Sequence, residues 1–323
     1  MSLSFVYLYL KYIINSGIIK SEIRKGKNMK RYLLLKGLWG MVDLLDSAYA
    51  RKQKLPDDID IIKDIPYIED GLKEHLCDLA LPKKITGKLP VIVHVHGGGW
   101  VYGHKDSVYR IYGSALAKQG FAVMTINYRL APNVTLKDIV FDVSCAIDSV
   151  LKLSDTYPLD IHRVYLVGDS AGAHLSALAT SCRFYPQLQD VYDVQPKIHV
   201  QGLVLSCGVY DFNHFIKHIP FPRKYDTLHA IFQTKNIEES TLFNYAHVTD
   251  WLHKDFPRIL LVSTEMDALH PQTLHLEKKL LEMNISYTSL IYPKKQKLPH
   301  VFNTKLVFKQ SQQVLEAIRD MFG

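Results

Sequence analysis

Cysteine is scarce in this 323-residue chain, and the four present, Cys77, Cys145, Cys182 and Cys207, are scattered. No two stand in C-x-x-C spacing and none has a histidine grouping of the zinc type beside it, so the cysteines give no metal or redox motif. Each lies in an apolar run, which predicts buried free thiols and favours a reducing compartment. Long apolar runs are also missing. The first 19 residues carry SFVYLYLKYIINSGII, which Lys11 interrupts and which is too short for a bilayer. Its positive charges follow the apolar stretch, where a signal peptide has them in front. A start at Met29 offers a basic beginning and an A-x-A-like Ala48-Tyr49-Ala50, but Lys36, Asp43 and Asp46 break the apolar part. Cytoplasmic residence without stable membrane insertion is therefore the expectation, with export the lesser reading. Internal repeats and low-complexity tracts are absent as well.

What remains is an ordinary globular composition, 47% hydrophobic and 22% charged, with a formal charge of +7. The basic residues are spread out except for two clusters, Lys20–Arg31 and Lys294, Lys295, Lys297. No aromatic residues interleave with them in a stacking pattern, so both read as solvated surface, with no nucleic-acid partner.

Residues 1–60 read as a helical, amphipathic cap segment, with Leu33, Leu34, Leu38, Val42 and Leu45 at helical spacing and Pro56 with the acidic run 57–60 closing it. From 61 to 323 strands and helices alternate. Apolar runs at 75–82, 90–96, 121–128, 163–168, 198–206, 258–263 and 285–292 predict strands; 107–119, 138–153, 171–182, 272–283 and 306–322 predict helices. Runs without polar alternation suit strands covered on both faces, and the alternation predicts an α/β fold around a mostly parallel sheet. One connection is out of proportion. Almost fifty residues separate Val209 from Arg258, and the part at about 210–255 reads as a lid over the sheet's carboxyl edge. Its many aromatics read as packing core or as acyl-binding wall, packing being favoured for each one singly.

Gly168-Asp169-Ser170-Ala171-Gly172 follows the strand RVYLV and precedes the helical stretch AHLSALATSC. Strand, G-x-S-x-G and helix in succession are the context of a nucleophile elbow, a turn so sharp that only small neighbours fit. A chance match to the motif occurs in roughly one chain of this size in ten, so company is needed. It comes from His96-Gly97-Gly98-Gly99-Trp100, again just after a strand. Consecutive glycines expose backbone N–H groups to a developing oxyanion, and the amides of Gly98, Gly99 and Ala171 are the expected donors. No phosphate-loop pattern accompanies them. His96 reads as a loop anchor, and Trp100, Tyr102 and Tyr109 as apolar lining for a substrate.

A hydroxyl nucleophile needs an imidazole to take its proton and a carboxylate to orient that imidazole. In such a fold the order is serine, acid, histidine, so the candidates lie toward the C-terminus. Asp267 follows the strand RILLVS, and the loop PKKQKLPHVF after the last strand carries His300. Glu265 and His270 are the rivals, His270 out of order beside Asp267. His174, one turn after Ser170, reads as packing beneath the elbow.

HGGGW, NYRLAP (127–132), GDSAG, EMDAL and HVF together resemble the hormone-sensitive-lipase-like branch of the α/β-hydrolases, the acetyl-esterase and carboxylesterase group, over roughly residues 70–323. Ala268 and Asn133 depart from its usual proline and glutamate. The resemblance implies the α/β-hydrolase fold and a helical amino-terminal cap. It also implies Ser170, Asp267 and His300 as the triad, the three oxyanion amides named above, and a structural role for Arg129 and Asp142. A small carboxylic ester is the implied substrate, with no cofactor and no metal, and a homodimer is left open. The alternatives are an amide-cleaving hydrolase, an arylformamidase or small peptidase, and a ligand-binding member without turnover.

Overall fold

Val91, Val93 and Val95 face one side of their strand and Ile92 faces the other, and all four are fully buried. The same division recurs with Leu203 and Leu205 against Val204, and with Ile259 and Leu261 against Leu260. Period-two burial on both faces requires a sheet covered twice. The computed structural model describes residues 37, 39–42, 44, 46–234 and 236–323, and in them the strands are β1 (Ile59–Pro66), β2 (Leu76–Pro82), β3 (Leu89–Val95), β4 (Ala122–Ile126), β5 (Leu159–Asp169), β6 (Val200–Ser206), β7 (Arg258–Thr264) and β8 (Tyr287–Tyr292). They form one sheet in the order β1-β2-β4-β3-β5-β6-β7-β8. β2 pairs antiparallel with both β1 and β4; every other pairing is parallel.

Among the described residues from β1 onward the helices are α1 (Val108–Ala117), α2 (Leu136–Leu153), α3 (Ala171–Ser181), α4 (Pro186–Tyr192), α5 (Phe212–His218), α6 (Lys224–Phe232), α7 (Thr241–Asn244), α8 (His270–Glu282) and α9 (Lys309–Phe322). α2 begins where the Asp138 carboxylate accepts the Thr135 amide at 2.9 Å, a capping box that fixes its first turn. α2, α3 and α8 bury their apolar stripes on one face of the sheet. α1 and α9 cover the other, where Phe322 stacks on Tyr165 at 4.5 Å. Gly202 leaves room beneath it, since a Cβ there would sit 2.3 Å from the Phe322 ring and force that ring to move.

All seven strands expected from the sequence are present. β1 is the addition, and it takes only residues 59 and 60 out of the segment 1–60 read as helical. Ile59, Ile61, Ile62 and Ile65 are β-branched, and they pair with β2 in spite of the intervening acids. Helix is present at residues 37, 39–42, 44 and 46–50. Residues 1–36, with the apolar stretch too short to span a bilayer and the Lys20–Arg31 cluster, lie outside the described residues. No helix among those described is long and apolar enough to cross a membrane. Cys77, Cys182 and Cys207 are buried and free, and Cys145 is partly buried and free.

The long connection after β6 holds α5, α6, α7 and short 3₁₀ turns. Phe212, Phe215, Phe232 and Phe243 pack edge-on or tilted around Phe212, with centroids 5.4–6.5 Å apart. Nearly all of this aromatic surface is buried in the insertion's own core, the packing alternative raised above.

Candidate active site

Ser170 sits between the last residue of β5 and the first of α3 at φ 52°, ψ −117°. A residue with a Cβ adopts this region only under steric strain. The small neighbours are enforced. A Cβ on Gly168 would lie 2.3 Å from the Gly172 carbonyl oxygen, and one on Gly172 would lie 2.0 Å from that of Val95. The turn therefore brings α3 against the carboxyl end of β3, and the Ser170 side chain stands at the helix's positive end. Ser170 is nearly buried, 9% exposed, and its amide donates to the Ser206 carbonyl at 2.8 Å.

The glycine loop lies next to this turn. A Cβ on Gly97 would stand 2.5 Å from Asp169 Oδ2, the residue before Ser170. Gly98 (φ 119°) and Gly99 (φ 57°) both adopt the left-handed half of backbone space, which explains why glycine occupies them. The NYRLAP stretch braces the loop from behind. Tyr128 Oη donates to the His96 carbonyl at 2.8 Å, its ring stacks on His96 at 4.2 Å, and the Ala131 amide donates to the Trp100 carbonyl at 3.0 Å. Arg129 in turn grips the buried Asp142 through Nε (2.9 Å) and Nη2 (2.7 Å), so this pair is structural. His96 is fully buried, and burial drives its imidazole down to about 4, so it stays neutral and anchors the loop.

His300 and Asp267 meet across two loops. His300 Nδ1 lies 2.7 Å from Asp267 Oδ2, and the Leu269 amide donates to Asp267 Oδ1 at 2.8 Å. Burial works to raise the Asp267 carboxyl, but the His300 charge and hydrogen bond, with a Cys207 contact and the Leu269 amide, hold it below its usual range. The rivals have other occupations. Glu265 accepts the Lys294 amide at 2.9 Å, and His270 Nδ1 faces Ser263 Oγ at 3.1 Å. Asp267 and His300 also reach the neighbourhood of the elbow. Ser170 is bonded to Ser206, and the next residue, Cys207, has its thiol among the Asp267 and His300 donor atoms, all within 4.8 Å of one another.

Two of the aromatics read as substrate lining are placed otherwise. Trp100 is 3% exposed; its indole N–H donates to His174 Nδ1 at 3.2 Å and its ring packs on Phe212. Tyr109 is buried too, and its hydroxyl accepts the Gly97 amide (3.1 Å) while donating to Asp169 Oδ2 (2.9 Å), which ties glycine loop to elbow. Both are props. Tyr102 remains partly exposed and stacks on Trp39 at 5.6 Å. His174, as expected, packs under the elbow, and its Nε2 meets the Ala246 carbonyl of the insertion at 2.9 Å.

Sequence reasoning missed the reach of the amino-terminal helix. Trp39 lies directly over Gly99, where a Cβ would meet its ring at 2.5 Å. Further along, Asp46 pairs with Lys305 (3.4 Å), Tyr49 packs on Phe308 (6.0 Å), and Gln53 just beyond accepts the Leu306 amide (2.6 Å). Lys305 Nζ in turn donates to the carbonyl of Val301, the residue after His300, at 3.5 Å. Cys207 was also missed as a neighbour of the acid, because its place follows from a β6 end that only the fold brings there.

The BD-FAE family model matches residues 77–280, from β2 to α8 and across both the glycine loop and the elbow. The chain belongs to the BD-FAE family. The BD-FAE chain is similar to the esterase LipQ of Mycobacterium tuberculosis, 27% identical over 80% of this chain and 61% of that protein. A kynurenine formamidase of Danio rerio is 32% identical over 46% of each chain. A probable isoprenylcysteine alpha-carbonyl methylesterase of Oryza sativa is 42% identical over 31% of this chain and 23% of its own. The chain thus spans about three fifths or less of the length of these relatives. Esterase B of Lactobacillus rhamnosis, in a structure inhibited by a tributyrin phosphonate, superposes with a TM-score of 0.84 at 23% identity, covering 92% of this chain and 96% of that one. The fold is that of the α/β-hydrolase esterases.

Proposed function

We propose that the protein is a serine hydrolase of small carboxylic esters. The observation that carries this reading is Ser170 held at φ 52° on the β5–α3 turn, against a loop of successive glycines. In this reading Ser170 Oγ attacks the ester carbonyl while His300 Nε2 takes its proton. The carbonyl oxygen, now negative, is held by the amides of Gly98, Gly99 and Ala171, each such donor typically lowering the barrier by about 3 kcal/mol. His300 then returns the proton to the departing alkoxide, leaving an acyl-enzyme on Ser170. Water, deprotonated by the same imidazole, releases the acid and restores the hydroxyl. Asp267 stays ionised throughout, which its lowered carboxyl supports, and orients the ring through Nδ1. No step calls for a cofactor or metal.

The mycobacterial relative's name, an esterase, supports ester cleavage, and the phosphonate in the esterase B structure supports a site that accepts a tetrahedral phosphorus. Amide cleavage is the second reading, favoured by the similarity to a kynurenine formamidase. The insertion at about 210–255 is read as the lid, since it packs on Trp100 and His174 beside the elbow, and Tyr102 with Trp39, both partly exposed, as the apolar lining. Four free thiols support residence in the cytoplasm. A series of p-nitrophenyl esters of rising chain length, run beside an arylamide and an N-formyl arylamine, tests the assignment. Ester turnover that vanishes in Ser170→Ala is expected; inert esters with rapid amide turnover would replace the first reading with the second.

A further inference from the structure

Cys207, Asp267 and His300 come from the end of β6, the loop after β7 and the loop after β8, yet one sulfur, one oxygen and one nitrogen lie within 4.8 Å of one another. We propose that these three side chains form a reversible inhibitory site for a thiophilic divalent cation of the zinc class.

The donor atoms lie within 4.8 Å of one another. For any such triangle a centre exists no more than about 2.8 Å from each corner, and zinc bonds sulfur at ~2.3 Å and nitrogen or oxygen at ~2.0–2.2 Å, so each donor moves by less than ~1 Å to bind. The donor set decides the ion. A thiolate beside an imidazole and one carboxylate suits zinc or cadmium, whereas magnesium and calcium require a shell of oxygens. Access comes from one side only. The His300 side chain is 38% exposed while Asp267 is 2% and Cys207 is 0% exposed. An ion entering past the imidazole keeps water as its fourth ligand, and the thiol proton leaves to solvent.

Occupancy is incompatible with turnover for a structural reason. Nδ1 is the nitrogen that faces Asp267, at 2.7 Å. A neutral imidazole bound to metal through Nδ1 carries its hydrogen on Nε2, and that nitrogen can then no longer take a proton from Ser170. The inhibition rests on the reading of His300 as the base; the binding does not.

The test separates the two. Cobalt(II) is added to the full-length protein as a spectroscopic stand-in for zinc and the thiolate-to-metal charge-transfer band is recorded, then zinc is titrated in to displace it. The band is expected in the parent and in a Cys182→Ser control, and absent in Cys207→Ser and Cys207→Ala. In parallel, p-nitrophenyl butyrate hydrolysis is followed against buffered free zinc, each variant scaled to its own metal-free rate. Removing a direct ligand is expected to raise the half-inhibitory zinc concentration about tenfold or more, since loss of even an outer partner of a ligand costs 10–100-fold. A chelator should restore the parent's rate, and magnesium should have no effect. The proposal is overturned if the cobalt band is missing from the parent, or if zinc inhibits the Cys207 variants and the parent at the same concentration. A cobalt band without any ester turnover would instead overturn the esterase reading and leave the site standing.

Discussion

Replacing Ser170 by glycine should abolish activity and at the same time make the protein more stable than replacing it by alanine. The backbone at Ser170, φ 52° and ψ −117°, is one that glycine enters freely and any residue with a Cβ enters under strain. That strain is about 1–3 kcal/mol. Glycine forfeits about 0.5–1 kcal/mol of this through the greater freedom of its unfolded chain. The hydroxyl is lost in both variants, so Ser170→Gly should exceed Ser170→Ala by up to about 2.5 kcal/mol, a rise in thermal midpoint of up to about 4 °C for a chain of this length. Ser107 offers an internal comparison. It precedes α1 with φ 58° and ψ −122°, nearly the same geometry, but carries no assigned chemistry. Ser107→Gly should show a similar gain over Ser107→Ala with ester turnover retained. Circular dichroism melts at one fixed scan rate, with p-nitrophenyl butyrate assays, provide the readout. A Ser170→Gly protein that melts at or below Ser170→Ala would refute the claim that the turn holds its serine against a steric penalty.

Asp267→Asn should keep the loop geometry yet lower kcat about 10³–10⁴-fold, because an amide stabilises the wrong imidazole tautomer; a loss under tenfold in a steady-state assay would remove Asp267 from its role. Gly97→Ala should drive a methyl group into Asp169 Oδ2, 2.5 Å away, separating glycine loop from elbow. Turnover should then fall about 10²-fold or more for a stability loss of roughly 1–3 kcal/mol, and an unchanged rate of phosphonate labelling would contradict the packing. Stability should also depend on pH through His96 and His174. Burial lowers each from the ordinary value near 6.5 to about 4. Between those values the unfolded chain binds protons that the folded one refuses, so stability is full above pH 6.5 and declines as pH falls toward 4, by up to about 3 kcal/mol for each histidine. Urea midpoints at pH 7.5 and 5 measure the slope, and His174→Gln should flatten it; an equal slope in that variant would exclude His174 as a source.

The backbone of the candidate site was legible in the sequence because it depends on local residue size. Gly168, Ser170 and Gly172 announce a turn that admits no side chains, and the glycines at 97–99 announce close approach. Chain order set His300 apart from His270 but could not choose between Asp267 and Glu265; in the structure Asp267 lies 2.7 Å from His300 while Glu265 accepts the Lys294 amide. Contacts between distant segments were not legible. Nothing near Tyr109 tells that its hydroxyl spans Gly97 and Asp169, so an aromatic beside the glycines was read as substrate lining. Trp100 misled in the same way, since its partner His174 lies 74 residues away. β1 was obscured by Asp57, Asp58 and Asp60, whose charges mask isoleucines that a strand could pair.

The amino-terminal helix rests its Trp39 end on the glycine loop and its Asp46–Tyr49 end on the segment behind His300. Two loops that the sheet holds at separate strand ends are thereby fastened to one rod. Their spacing is set from outside, and neither can drift without lifting the rod from the other. Val301, a β-branched residue at φ 49°, is the point where that hold is most needed, since its carbonyl receives the Lys305 ammonium. A helix outside the sheet thus ties the glycine loop to the segment that carries His300.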